Sequence, residues 1–92
     1  MKLTWKRSIV IKIVTKHQVT PEEVEDALAD RWRYQKRVGT SEAGIRRYQV
    51  IGKTQAGRLL RIILDIDGRT VIPVTAFDAP YADQNLYHKR RP

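Results

Sequence analysis

The sequence contains no cysteine, so neither a disulfide nor a thiolate metal site can stabilise its fold. Its apolar runs are a few residues long, far below the roughly 18 residues that a membrane-spanning helix requires. The first residues lack the apolar core of a signal peptide. The histidines are not spaced as metal ligands, and there is no Walker loop, dinucleotide fingerprint or nucleophile elbow. These absences predict a cytoplasmic protein that uses neither a metal nor a cofactor.

The sequence does contain enough apolar material for one compact core. Of its 92 residues, 41% are hydrophobic and 30% are charged, which is the mixture of an ordinary soluble domain. A chain of this length is too short for two cores, so we expect a single domain over residues 1–92.

Positive charge dominates the polar residues. Eighteen lysines and arginines stand against ten acidic residues, giving a formal net charge of +8. Half of the acidic residues fall within residues 22–30, whereas arginine recurs over residues 31–47 and at the carboxyl terminus. We therefore expect one acidic face and one basic face, the latter suited to an anionic partner such as nucleic acid. A surface that only keeps the protein soluble is the simpler alternative.

Two helices are predicted in the first third of the chain. Apolar residues recur every four positions over residues 5–17, so Thr4 can cap a helix there, although the β-branched residues of this segment favour a strand by propensity. We prefer the helix because of its length and spacing. The second helix is better marked, since "TPEE" supplies an N-cap threonine, a first-turn proline and a capping-box glutamate. It should run from Pro21 to about Leu28.

A series of antiparallel strands is predicted after these helices. Residues 31–38 alternate arginine with aromatic residues and fit an edge strand, and a polar loop follows at 39–44. "QAG" at 55–57 and "IDG" at 66–68 suit three-residue hairpin loops that end in glycine. A two-residue turn at 67–68 is the alternative for the second hairpin.

The register of these hairpins divides the sheet into two faces. The face that packs on the helices should collect Tyr48, Val50, Leu60, Ile62, Leu64, Ile72, Val74 and Ala76. The other face is mixed and should carry Arg47, Gln49, Ile51, Arg61, Ile63, Asp65, Pro73, Thr75 and Phe77. Two guanidinium groups are thereby predicted to lie where a ligand can reach them. Arg47 can equally form an ion pair with Asp65 across the strands.

Short motifs spread over most of the chain carry a family resemblance. They are Trp5, "KHQVTPEEVEDAL" from 16 to 28, "RRYQVIG" from 46 to 52, "GRLLRIIL" from 57 to 64, "IPVTAF" from 72 to 77, and a terminal "YHKRR". On these residues the sequence resembles the BrnT-like ribonuclease toxins of bacterial type II toxin-antitoxin systems. The resemblance implies an α+β fold of the RelE-like type, in which two amino-terminal helices and a carboxy-terminal helix pack on a small antiparallel sheet.

The resemblance also implies a function and its partners. Toxins of this family cleave messenger RNA without a metal and are neutralised by a cognate antitoxin protein that carries a DNA-binding domain. We therefore expect an mRNA substrate, an antitoxin and no membrane, in either a homodimer or a toxin-antitoxin hetero-oligomer. By position, Arg47, Arg58 and Thr75 match site residues of the family, whereas Phe77 stands where the family usually has arginine.

The chemistry of such a ribonuclease points to a larger set of candidate residues. The 2′-hydroxyl of the RNA is the nucleophile, so the protein positions the phosphate, stabilises its charge and moves two protons. Arginine suits the phosphate because its guanidinium group binds two oxygens at once. The candidate catalytic residues are Arg47, Arg58, Arg61, Thr75, Tyr87 and His17, with His88 as a further proton donor. The candidate RNA-binding residues are Arg31, Arg33, Arg37, Lys89, Arg90 and Arg91.

Two other functions remain open at this point. A catalytically inactive module on the same scaffold, which binds RNA or protein, fits the loss of arginine at position 77. The other open function is that of a structural protein whose basic face binds an acidic partner chain. Structural roles also exist for single candidates: His17 can complement the dipole of its helix, and Tyr87 can dock the last helix.

Overall fold

The computed structural model describes residues 2–89, in which three helices and five strands are formed. In chain order these elements are β1 (Lys2–Leu3), α1 (Arg7–His17), α2 (Pro21–Leu28), β2 (Tyr34–Thr40), β3 (Arg46–Lys53), β4 (Leu59–Asp67), β5 (Thr70–Asp78) and α3 (Tyr81–Lys89). The predicted α+β class, with two helices before the main sheet and one after it, is confirmed. No helix of this described part is long and apolar enough to cross a membrane.

The five strands form one sheet in the order β1-β5-β4-β3-β2. Strands β2 to β5 are antiparallel neighbours, as expected from their hairpins. The two-residue strand β1 was not predicted, and it pairs in parallel with the start of β5 through Lys2 with Thr70 and Leu3 with Val71. A strand this short has no alternation to reveal it in the sequence. Because β1 covers only the start of β5, the far end of β5 lies at an edge of the sheet.

Helix α1 confirms the preference for a helix in the first segment, but its predicted cap is wrong. The Thr4 backbone N–H donates to the carbonyl of Val71 at 2.8 Å, which continues the pairing of β1. The helix therefore begins later, with Lys6 at the N-cap position and without a side-chain cap. It ends at Gln18, whose φ of 52° lies in the left-handed region and turns the chain toward α2.

Helix α2 has the predicted bounds and the predicted capping box. The Thr20 hydroxyl accepts from the Glu23 backbone N–H at 3.1 Å, and the Glu23 carboxylate accepts from the Thr20 backbone N–H at 3.0 Å. The helix also lies very close to β3. A Cβ atom built on Gly52 would collide with the carbonyl group of Ala27, so only glycine permits this approach.

The first hairpin has the predicted register and the second does not. Val50 pairs with Ile62, and Gly57 ends the three-residue loop with a φ of 93°. In the second hairpin Asp67 pairs with Thr70, which leaves a two-residue turn that begins with Gly68 at φ 61°. Glycine at the first of two turn positions matches a type II′ turn, one of the two turn types favoured in hairpins, and the turn lies one residue later than the predicted alternative at 67–68.

A β-bulge in β5 then places residues 75–77 on the faces of the sheet that were predicted for them. The register of β4 and β5 shifts between Ile63 and Leu64, so that Leu64 pairs with Pro73 while Ile63 pairs with Thr75. The predicted core positions Ile72 and Val74 are therefore wrong, as is the predicted open position of Pro73, which is buried. Residues before the bulge are displaced by one position relative to a regular strand, which reverses the face to which they point.

The core between the sheet and helices α1 and α2 is otherwise as predicted. Its buried residues are Ile13, Val19, Val24, Ala27, Val50, Leu60, Ile62, Leu64, Val71 and Ala76. We call the other side of the sheet the open face. Helix α3 covers part of it, where Tyr87 packs with Ile51 and Ala79 against Trp32, Tyr34 and Leu59.

Strand β2 is the edge strand that the sequence predicted, but it is displaced along the chain. It starts at Tyr34 because residues 31–33 form a turn in which the Trp32 backbone N–H donates to the Asp30 carboxylate at 3.0 Å. It continues through a second bulge to Thr40, so the polar loop is shorter than predicted.

Candidate functional site

Arginine, histidine and phenylalanine side chains meet at the free edge of β5, beside the end of α1. The His17 and Phe77 rings lie 5.5 Å apart, and the Arg61 Cζ atom lies 5.9 Å from the centre of the Phe77 ring. The Arg58 Nη2 atom donates to the His17 carbonyl at 3.2 Å. We call His17, Arg58, Arg61 and Phe77 the edge cluster. The fold thus brings together the predicted residues from α1, from the first hairpin and from β4.

Arg58 is the most heavily bonded of these side chains. Its Nε atom donates to Asp78 and its Nη1 atom to the Gln18 carbonyl, each at 2.7 Å, and Nη1 also contacts the Glu23 carboxylate at 3.1 Å. The hydrogen bond to Asp78 and the pairing with Glu23 raise the pKa of Arg58 despite its partial burial. Arg58 therefore fastens the end of α1 to β5 and α2, a structural role that the sequence did not reveal.

Arg61 is neutralised by a carboxylate from α3. Its Nε atom lies 2.7 Å from Asp83 Oδ2, and its Nη2 atom donates to Asp83 Oδ1 at 3.3 Å. The Asp83 side chain is only 5% exposed, whereas that of Arg61 is 31% exposed. The contacts with Asp83 use Nε and Nη2 and do not involve Nη1.

Arg47 lies apart from the edge cluster, further along the ladder between β3 and β4. Its Nε and Nη2 atoms donate to the two carboxylate oxygens of Asp65 at 2.7 and 3.0 Å. This is the cross-strand ion pair that the sequence offered as the alternative to a catalytic role. The hydrogen bond to Asp65 raises the pKa of Arg47. Arg47 does not contact the other candidates.

Tyr87 and Thr75 also lie outside the edge cluster. Tyr87 is buried, and its hydroxyl donates to the Asp30 carboxylate, so it docks α3 as the structural alternative proposed. With Asp30, Trp32 and Lys53 it lines a separate cavity of about 300 Å³. Thr75 is half-buried on the open face, two residues before Phe77 in β5.

Two acidic residues with lowered pKa values hold these elements in place. Burial raises the pKa of Asp30, but hydrogen bonds from the Tyr87 hydroxyl and from the Lys53 and Trp32 backbone N–H groups outweigh it, so the pKa falls below its ordinary value of 3.8. The pKa of Glu23 is lowered first by the hydrogen bond from the Thr20 backbone and then by Arg58. Sequence reasoning missed Asp30, although an aspartate two residues before Trp32 is typical of an Asx turn.

The exposed arginines of the 31–37 segment do not extend the edge cluster. Arg37 pairs with Tyr48 in the register of β2 and β3, which places it on the side of the sheet opposite Arg61. Arg33 donates to the Asp30 carbonyl at 3.3 Å, and the Arg31 Cζ atom lies 5.0 Å from the centre of the Trp32 ring. Lys89 is exposed at the end of α3. The predicted residues Arg90 and Arg91 lie outside the described residues.

An open cavity of about 440 Å³ adjoins the edge cluster and is lined by Lys16, His17, Gln18, Phe77 and Asp78. Lys16 and Gln18 were not among the predicted site residues. Within residues 2–89 no group of three or more histidine, cysteine, aspartate or glutamate residues is arranged to hold a metal ion. The groups available at this edge are an imidazole, an ammonium group, a carboxylate and an aromatic ring on the cavity, with guanidinium groups beside them.

Comparisons with known proteins give a similarity at the level of the fold. No family model matches the sequence, and no curated protein matches it either. Among solved structures, the chain is similar to the ribonuclease toxin BrnT of Brucella abortus, with a TM-score of 0.60 and 17% sequence identity. The similarity covers 87% of this chain and 97% of that one. It confirms, for the fold, the resemblance to BrnT-like toxins that the short motifs indicated.

Proposed function

We propose, from the fold that the chain shares with a ribonuclease toxin, that it is a metal-independent endoribonuclease acting as the toxin of a type II toxin-antitoxin system. The observation that supports this proposal most is the edge cluster, in which an imidazole that lines an open cavity and the Arg61 guanidinium group lie beside the same aromatic ring. The net charge of +8 attracts the RNA backbone to this surface.

The proposed roles within the edge cluster follow from its geometry. His17 exchanges protons with the 2′-hydroxyl or the leaving oxygen, a role that contributes about 10²- to 10⁴-fold to the rate. Arg61 presents Nη1 to the phosphate, where a fixed guanidinium group stabilises the charge of the transition state. Arg58 is a positioning residue, because it holds the main chain at His17 and Gln18. Arg47, Thr75 and Tyr87 have no assigned step in this site.

The partners belong to the same proposal. The exposed residues Arg31, Arg33, Arg37 and Lys89, which lie away from the edge cluster, bind the RNA backbone. The proposal extends to Arg90 and Arg91 from the sequence alone. A cognate antitoxin with a DNA-binding domain neutralises the toxin in the cytoplasm. Its acidic side chains would compete with RNA for the basic surface.

The test is cleavage of a labelled messenger RNA by the purified protein in EDTA, with analysis of the 3′ ends. We expect 2′,3′-cyclic phosphate or 3′-phosphate ends, and loss of cleavage in His17→Gln and in Arg61→Gln. His88→Gln is the matched control, since His88 is exposed on α3 and does not line the cavity. Cleavage that survives both site variants would refute the assignment of the site.

A second candidate function has support from one observation. The arginines Arg47, Arg58 and Arg61 are all ion-paired within the chain, which lowers their availability for a substrate phosphate. An inactive module that binds RNA or protein on the same scaffold is consistent with this. Intact RNA that is bound with a steep dependence on salt would select that function.

A further inference from the structure

We propose that Phe77 is a stacking platform for one unpaired nucleobase, so that the edge cluster accepts single-stranded RNA. The inference rests on the proposed function in one respect, namely that RNA is the ligand. Phe77 is half-buried in β5, lines the open cavity and stands at the free edge of the sheet, where a ligand can approach its ring.

The surroundings of Phe77 have the composition that binds a nucleotide. The His17 ring stands 5.5 Å away at an interplanar angle of 52°, so two aromatic surfaces converge on the cavity. Aromatic and histidine rings are the groups on which proteins stack unpaired bases, because every base has a π-face. Lys16 at the rim is exposed and takes part in none of the ion pairs found within residues 2–89, so its ammonium group is available for the adjoining phosphate.

The size and the charge of the cavity favour a base over a phosphate as its occupant. Its volume of about 440 Å³ falls within the roughly 300–1,000 Å³ typical of small-ligand sites. Asp78 also lines the cavity, and its carboxylate, which is 72% exposed and bound to Arg58 at 2.7 Å, disfavours a phosphate placed beside it. The base therefore enters the cavity, and the adjoining backbone phosphate stays near Lys16.

This arrangement requires a base that is not stacked on its neighbours in the RNA. A base in a duplex is stacked on both sides, and unstacking it costs a few kcal/mol, whereas an unpaired base is already accessible. The edge cluster should consequently discriminate single-stranded RNA from double-stranded RNA without reading a specific sequence. Phe77, which occupies a position where the resembled family usually has arginine, would thus contribute substrate selection in place of a charge.

The test measures binding separately from cleavage. The probe is a short fluorescent 2′-O-methyl RNA, which has no free 2′-hydroxyl and cannot be cut by the proposed mechanism, and anisotropy is recorded with the probe single-stranded or annealed to its complement. Phe77→Leu keeps apolar volume but removes the ring, and it should weaken single-strand binding by about five- to one-hundred-fold. Phe77→Tyr should bind like the wild type. Neither change should alter duplex binding.

Controls separate loss of stacking from loss of folding. Urea midpoints of the Phe77 variants are compared with the wild type, and Tyr81→Leu removes an exposed aromatic ring that does not line the cavity. Unchanged single-strand binding in Phe77→Leu, or an equal loss for the duplex, would overturn the inference. Cleavage of unmodified RNA is scored independently, so a Phe77-dependent binder that cuts nothing would uphold the inference and refute the proposed nuclease.

Discussion

Replacing Arg58 by alanine tests whether this residue acts through the structure or on the RNA. The guanidinium group joins four acceptors: the His17 and Gln18 carbonyls at the end of α1, the Glu23 carboxylate of α2 and the Asp78 carboxylate of β5. Alanine removes this donor from all four, although Glu23 keeps its hydrogen bond from the Thr20 backbone N–H. Water replaces the donor easily at Asp78, which is 72% exposed.

The expected loss of stability can be estimated from these contacts. A hydrogen bond to a charged group contributes about 1.5–3 kcal/mol when it is shielded from solvent. The Arg58 side chain is 26% exposed, and the exposed pair with Asp78 contributes under about 1 kcal/mol, so only part of the full sum applies. We expect Arg58→Ala to lower the free energy of unfolding by about 2–3 kcal/mol. In a domain of this size that lowers the Tm by roughly 10–20 °C.

Urea denaturation measures this effect, and the midpoint should fall at an unchanged m-value. Arg46→Ala serves as the matched control, because Arg46 is exposed on β3 and should change stability by less than about 0.5 kcal/mol. Arg58→Lys should recover part of the loss, since an ammonium group can meet one carboxylate but cannot span all four acceptors. A variant Arg58→Ala that unfolds at the wild-type midpoint yet has lost RNA cleavage would refute the structural role and make Arg58 a catalytic residue.

Three further outcomes follow from other contacts. Gly52→Ala should lower the free energy of unfolding by about 1–3 kcal/mol or more in urea, because the new methyl group meets the main chain of α2. Asp83→Asn should raise RNA affinity severalfold in an anisotropy titration by releasing the charge of Arg61, and unchanged affinity would show that the ion pair does not compete with RNA. Tyr87→Phe should make the free energy of unfolding depend less on pH in acid, because it removes one of the hydrogen bonds that lower the pKa of Asp30. That lowered pKa adds stability above the unfolded pKa of about 3.8, and the added stability disappears as the pH falls through the folded value. Urea midpoints between pH 5 and 2 measure this difference, and parallel curves for the two proteins would contradict it.

The parts of the fold that the sequence predicts are those with a strong local signal. The capping box of α2 uses residues only three positions apart, and the loop that ends at Gly57 is set by the backbone freedom of one glycine. Both were placed correctly. The prediction of the second hairpin was wrong because its turn begins at Gly68 and its second strand contains a bulge. Both one-residue irregularities had to be known to obtain the register.

The candidate site was less predictable because it depends on contacts between distant segments. Arg61 was identified from its predicted place on the open face and His17 from its residue type, and the fold does bring them to the same aromatic ring. The acidic partner of Arg61 was missed, since Asp83 is remote from it in sequence and belongs to a weakly patterned helix. The register of one hairpin predicted the ion pair between Arg47 and Asp65, but the pair between Arg61 and Asp83 depends on how α3 packs on the sheet.

The two lateral margins of the sheet differ in their capacity to recruit another chain. Beyond the short pairing with β1, β5 contains Pro73, which has no N–H to donate, and its Val74 carbonyl already accepts from the Lys12 ammonium at 2.9 Å. This margin is a poor template for intermolecular strand addition or aggregation. The β2 margin is open but carries Lys36 and Arg37, both exposed. Polymerisation by like strands is disfavoured there by charge repulsion, while an acidic extended segment would find both hydrogen-bonding groups and opposite charge.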